Sequence, residues 1–365
     1  MTRIKDIIHS LEAWAPVSYA ENYDNVGLIS GDSSKEVTGV LVSLDCTEEV
    51  VDEAIKKNCN IIVSHHPIIF KGLKRLTGAN YVERTVIKAI KNDVALYAIH
   101  TNLDNIQTGV NKKIADIIGL ENTRILSPKS NRLEKITFFV PTVHANKVRS
   151  AVFEAGGGEI GDYANCSFNL IGEGTFKPGD SANPFIGERG ELQIESETRI
   201  EVMYPDFARR RILHALKQAH PYEEVAYSIH QLENTNETVG SGMLGSTSEP
   251  IEPMEFLQHL KNAMELKVLK HTSITDSTVR TIAVCGGSGS FLLRDAKAAG
   301  ADLFITSDFK YHEFFDAEDQ IIIVDIGHYE SERFTIDLIA DFISKKFSTF
   351  ATHLTGVVTN PIHYF

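Results

Sequence analysis

The chain has 365 residues, 42% hydrophobic and 23% charged, which exceeds one ordinary core and supplies enough apolar content for two or three. Thirty-six basic side chains against 49 acidic ones leave a net charge of −13, which gives a phosphate backbone no general footing and excludes nucleic acid as a main partner. No stretch reaches the roughly 18 to 20 apolar residues of a membrane span, and Cys46, Cys59, Cys166 and Cys285 stand singly, without metal or disulfide spacing.

In chain order, Ile4, Ile7, Ile8, Leu11 and Trp14 fall at helical spacing with charges between them, so the start reads as the first helix of a domain, with no secretory core. A soluble, cytoplasmic protein is expected. From Val37 to Asn102 apolar runs alternate with amphipathic ones: VTGVLVSLD, TEEVVDEAIKKN, NIIVSHHP, VERTVIKAIKND and VALYAIHTN. This predicts βαβαβ with a buried parallel sheet, Thr47 capping the first crossover helix.

Between Lys135 and Leu232 the order becomes strand, helix, strand, strand, helix, strand, which predicts a ferredoxin-like (α+β) insert. The turn-rich GEGTFKPGDSANPFIGERGE reads as an exposed loop between its central strands, Arg209-Arg210-Arg211 as a solvated helix face, and His220-Pro221-Tyr222-Glu223-Glu224 as a structural link. From about Arg280 the α/β grammar returns through TIAVC, DLFITSD, QIIIVDIG and a long helix, ESERFTIDLIADFISKKF. The predicted fold class is therefore a layered α/β core formed by residues 1–128 and 237–365, interrupted by an insert at 129–236.

Open α/β sheets bind ligands beyond the carboxyl ends of their strands. Here those ends carry Ser64-His65-His66-Pro67, His100-Thr101-Asn102-Leu103-Asp104, Ser307-Asp308 and Gly327-His328, with Glu332 one helical turn after His328. Each has a plain reading: a surface histidine pair, a turn aspartate, a first-turn helix carboxylate. Together, His65, His66, Asp104, His328 and Glu332 make a nitrogen and oxygen donor set suited to zinc, iron or manganese, and five donors suit two divalent ions better than one.

His100 and Asp308 read either as groups that orient ligands or move protons, or as solvated loop residues, and Asp45 shares that ambiguity. His312 is expected near the site. Gly240-Ser241-Gly242-Met243-Leu244-Gly245 has the letters of a dinucleotide loop without the helix, and is rejected. The run Cys285 to Ser290 either cradles a phosphate-bearing ligand or is a tight strand-to-helix turn.

The chain resembles the GTP cyclohydrolase I type 2 family, also called NGG-interacting factor three-like. The resemblance rests on Glu21-Asn22-Tyr23-Asp24-Asn25-Val26-Gly27-Leu28, the two histidine-bearing strand ends, Asp308-Phe309-Lys310-Tyr311-His312, Gly327 to Glu332 and Thr359-Asn360-Pro361, in the family's order. The insert is similar to the signal-protein-like domain of the longer bacterial members. This resemblance implies two divalent ions held by His65, His66, Asp104, His328 and Glu332, and a toroidal homohexamer. Two functions are open at this stage: a metal-dependent hydrolase acting on a small nucleotide-like substrate, and a regulatory or metal-handling scaffold without catalysis.

Overall fold

The computed structural model describes residues 1–274 and 278–365. The chain is a mixed α/β protein that divides into two compact units, residues 1–128 with 237–365, and residues 129–236. Among the described residues no helix is long and apolar enough to cross a membrane.

The first unit holds two sheets rather than one. One is five-stranded, in the order Gly27–Ser30, Ala95–Ala98, Ile61–Ser64, Gly39–Ser43, Ala351–Leu354. Its three central strands are buried at every position, as parallel strands covered on both faces must be. The helices Glu48–Lys56 and Tyr81–Lys91 cover one face through Val50, Val51, Ala54, Val86 and Ala89. Thr47 and Asn80 cap them by accepting the Val50 and Glu83 N–H groups.

The other sheet runs Lys270–His271, Ile322–Asp325, Leu303–Ser307, Val279–Ser288, Thr235–Ile251, Glu121–Ser130. Val279–Ser288, Leu303–Ser307 and Ile322–Asp325 run parallel in it, the last two buried at every position. The sequence does not announce the last strand, Ala351–Leu354, which leaves the second α/β stretch to pair in parallel with Gly39–Ser43. The long terminal helix is also split, into His328–Glu332 and Thr335–Lys346.

The second unit is a four-stranded antiparallel sheet in the order Phe168–Phe176, Gln193–Pro205, Leu133–Pro141, Tyr227–Leu232. Two helices, Ala145–Glu154 and Arg209–Ala219, close its core with Val148, Val152, Ile212 and Leu216 against Phe138, Ile200, Val202 and Tyr204. Two expectations need correction. Gly172 to Phe176 belong to a strand, so the exposed loop begins at Lys177. Arg209 is no merely solvated face residue, because its guanidinium pairs with Glu134, whose side chain is fully enclosed.

Candidate metal centre

The strand ends converge within the first unit. Beyond Ser64 the parallel ladder continues for two residues, as the His65 N–H donates to the Ser43 carbonyl at 3.1 Å and the His66 N–H to the Leu44 carbonyl at 2.9 Å. Pro67 has no N–H to extend it further. After Ala95–Ala98 the chain enters a one-turn helix, Thr101–Asp104, where the Asp104 N–H donates to the His100 carbonyl at 3.1 Å. That turn presents His100 and Asp104 on one side. In the second sheet, Ile322–Asp325 gives way to Gly327 at φ +89° and then to the turn His328–Glu332.

Glu332 sits at the centre and is only 2% exposed. Its Oε2 lies 3.0 Å from His66 Nε2 and 3.1 Å from His328 Nε2, while its Oε1 lies 3.8 Å from His65 Nε2. Asp104 Oδ1 lies 3.6 Å from the same His65 nitrogen. Three overlapping groups can hold a metal ion: His65, Asp104 and Glu332; His66, His328 and Glu332; His65, His66 and His100.

Every histidine is oriented from behind. Nδ1 of His65 donates to the Ile99 carbonyl at 2.8 Å, that of His66 to Asp45 at 2.7 Å, that of His328 to Asp308 at 2.7 Å, and that of His100 to Asp24 at 2.9 Å. With Nδ1 committed, each ring turns Nε2 inward; those of His66 and His328 donate to Glu332 Oε2, and each would offer its lone pair to a cation in place of that proton, the arrangement that metal-binding histidines adopt.

The electrostatics describe a cluster short of positive charge. Burial pushes the Asp104 carboxyl well above its usual range, and the Glu332 charge reinforces this. Glu332 itself is held well below its range: burial opposes ionisation, but the hydrogen bonds it accepts from His328 and His66 and the attraction of His65 outweigh it. Burial pushes His65 down to about 4. His66 rises to about 10 and His328 to about 9, because the carboxylates Asp45, Asp308 and Glu332 overcome the burial of each ring. Asp104 Oδ1 and His65 Nε2 are buried with no hydrogen-bond partner. Two orphaned donor atoms facing each other across 3.6 Å fit a cation between them.

Two cavities open onto the cluster, of about 330 and 160 Å³, and His100 and His328 line both. Asp45, Phe70 and Asn360 line the larger; Tyr23, Asp104 and Ser288 line the smaller. Neither has a lysine or arginine among its described lining residues.

The remaining candidates divide. Asp308, in a left-handed conformation at φ +61°, orients His328, and Asp45 orients His66. His312 is exposed and packs against Tyr311 and Phe315, outside every candidate metal group among the described residues. At Cys285 to Ser290, the Gly286 and Gly287 N–H groups are already taken by the Asn111 side-chain amide oxygen and the Ser331 hydroxyl. What the run provides is space: a Cβ on Gly287 would fall 2.3 Å from Glu332 Oε1. Gly240 to Gly245 lie in the strand Thr235–Ile251.

Asp24 was not readable as a site residue from spacing. It accepts from His100 Nδ1, the Thr101 hydroxyl and the Thr101 N–H, and these bonds, working against its burial, hold it at about 2. The signal was the polar run Glu21 to Asn25 ahead of a strand. Asp325 was missed as well: it accepts from the Phe309 and Gly327 N–H groups and so joins the loops carrying Asp308 and His328.

The family model described as Duf34/NIF3 (NGG1p interacting factor 3) matches residues 2–361. A Bacillus subtilis protein named GTP cyclohydrolase 1 type 2 homolog is 38% identical over 327 residues, covering 89% of this chain and 88% of that one. A Staphylococcus epidermidis protein of the same name is 33% identical over 366 residues, covering 99% and 100%. Among solved structures, a Bacillus cereus protein related to NIF3 superposes with a TM-score of 0.87 at 36% identity, covering 100% of this chain and 99% of that one.

Proposed function

The chain belongs to the Duf34/NIF3 family, and from that premise we propose that it is a dinuclear metal-dependent hydrolase acting on a small, nucleotide-like substrate. The observation that carries this reading is the pairing of buried, unpartnered Asp104 Oδ1 and His65 Nε2 beside Glu332, with His66 and His328 on its other oxygen. His65, Asp104 and Glu332 would hold one ion, and His66, His328 and Glu332 the other, with Glu332 shared. Zinc, iron and manganese all suit these donors. When bound, such ions polarise a substrate oxygen and acidify water.

The chain's own groups supply the rest. His100 opens to both cavities while Asp24 fixes its ring, so its Nε2 is the atom positioned to take or give a proton at a substrate held there. Phe70 lies 5.9 Å from the His100 ring and offers a flat apolar wall to a planar group. The name shared by the curated relatives directs the first assay to GTP, followed by phosphoesters, nucleotides and cyclic amides.

The ring-shaped homohexamer implied by the resemblance belongs to the same reading and is checked by light scattering. The central test is elemental analysis of natively purified protein beside Asp104→Ala. Stoichiometric transition metal in the wild type and its loss in the variant are expected. An Asp104→Ala protein that keeps all its metal sinks the reading, and metal without turnover across the substrate panel favours the non-catalytic scaffold.

A further inference from the structure

The turn His220 to Glu224 takes no part in the metal cluster, yet it is tightly specified. His220 donates through Nε2 to the Phe139 carbonyl at 2.9 Å and accepts the Tyr222 N–H at Nδ1 at 3.0 Å. Both ring nitrogens are therefore spent on placing Tyr222. The Glu223 carboxylate accepts the Asn183 N–H at 2.8 Å, which pins the loop after Phe176 to this turn. That loop also closes on itself, with the Gly190 N–H on the Pro178 carbonyl at 2.8 Å and Arg189 Nε on the Ala182 carbonyl at 2.7 Å.

Between loop and turn lies a cavity of about 350 Å³. Its walls are aromatic: Phe176 and Phe185 stand with ring centroids 5.6 and 6.4 Å from Tyr222. Its polar lining is mostly acidic, with Glu197, Glu223 and Glu224 against the lone cation Lys177 among the described residues. Gly174 leaves the space for Glu197, since a Cβ there would fall 2.1 Å from Glu197 Oε2. The Tyr222 hydroxyl is enclosed without a well-formed hydrogen bond, and the carboxylate bearing on it is Glu197. An enclosed hydroxyl beside a carboxylate, between flat rings, is an unfilled recognition edge.

We propose that residues 129–236 carry a second ligand site, between the loop 177–191 and the turn His220 to Glu224, for a flat aromatic ring bearing an amidinium-type edge. The ring lies in the cavity against the tilted wall of Phe176, Phe185 and Tyr222, and the two N–H donors of the edge meet the Glu197 carboxylate in a bidentate pair. An anionic ligand is rejected by three glutamates. Partial burial and the neighbouring Glu195 raise the Glu197 carboxyl above its ordinary range, so a donor-bearing partner relieves a cost already present.

The test is calorimetric titration of the full chain with benzamidine, with benzamide and benzoate as neutral and anionic controls of the same shape. Saturable benzamidine binding is expected, about tenfold or more weaker for benzamide and absent for benzoate, the scale of one charge-assisted hydrogen bond. Glu197→Gln and Phe185→Ala should each weaken benzamidine about tenfold while keeping the circular dichroism and metal content of the wild type. Asp104→Ala should bind benzamidine normally, which separates this site from the metal cluster. No saturable binding, benzamide binding as tightly as benzamidine, unchanged affinity in Glu197→Gln, or loss of binding in Asp104→Ala each overturns the proposal.

Discussion

The metal cluster and the aromatic cavity of residues 129–236 solve opposite problems. In the cluster, charged groups are buried first and their directions fixed afterwards: Glu332 and Asp104 share an enclosed space, and each histidine is held from behind by a carboxylate or carbonyl. In the cavity, flat apolar walls come first, and a few polar atoms at their rim set which edge of a ligand is accepted. The first arrangement carries a cost that a bound cation would relieve; the second is tolerable while empty. Selectivity therefore rests on charge in one region and on shape with a single polar edge in the other.

The largest effect that would test this contrast comes from the groups behind the ligands. Asp308→Asn keeps the size of the side chain but removes the charge that holds His328 Nδ1–H at 2.7 Å. Losses of this kind cost about 10- to 100-fold in metal affinity, to be read by competition with a chelator. Benzamidine binding should not change. Metal affinity within twofold of wild type would show that His328 keeps its orientation without Asp308, and the account of the cluster as charge-directed would fail.

A smaller effect is expected in the other unit. Arg209→Ala strips the fully enclosed Glu134 of its partner, leaving only what Tyr204 and water can supply. Half of the arginine side chain is open to solvent, so the loss is discounted to about 1 to 3 kcal/mol. It should appear as a lower denaturation midpoint for the transition of residues 129–236, with metal content intact. A loss of metal in the same variant would show that the two regions are not independent.

Much of the cluster was legible because it lies where chain grammar changes. Apolar runs such as Ile61-Ile62-Val63 end in His65-His66-Pro67, and Ile321 to Val324 lead through Asp325-Ile326-Gly327 to His328, so strand-end placement and one helical turn point to five residues that the fold brings together as groups able to hold a metal ion. His100, Asp308 and Asp45 were readable as orienting candidates, but their partners were hidden, because Asp24 and His100 are 76 residues apart and Asp45 and His66 are 21 apart. Only tertiary packing brings such pairs together. Gly287 illustrates the limit from another side: its letters suggested an anion loop, whereas its φ of +62° and the missing Cβ serve a carboxylate 45 residues later. The cavity of the second unit was unreadable for the same reason. His220-Pro221-Tyr222-Glu223-Glu224 reads as a link until the loop from Lys177 is seen lying across it. The two-sheet division of the first unit was hidden because strands such as Ala351–Leu354 carry no burial signature of their own.

The smallest effect concerns how the chain end reaches the cluster. Glu53 accepts from Lys57, the Thr355 hydroxyl and the Gly356 N–H, and a few residues on, Thr359 donates to Asp45 while Asn360 lines the larger cavity. Burial alone would raise the Glu53 carboxyl, but these bonds prevail and bring it down to about 2 from an ordinary 4.5. A carboxyl depressed by folding contributes stability that is fully present above its unfolded value and is lost as pH falls toward its folded value. The contribution should therefore be complete above about pH 5 and fade between there and pH 2. Glu53→Gln removes the titrating group, so its denaturation midpoint should lie below the wild type at neutral pH and converge with it as the solution is acidified through that window. The fluorescence of Trp14, stacked 4.3 Å from Phe342 in the same unit, offers the readout. Parallel pH curves with a constant gap would mean that Glu53 acts by packing and not by its charge, and that the chain end is held over the cluster by something other than this carboxylate.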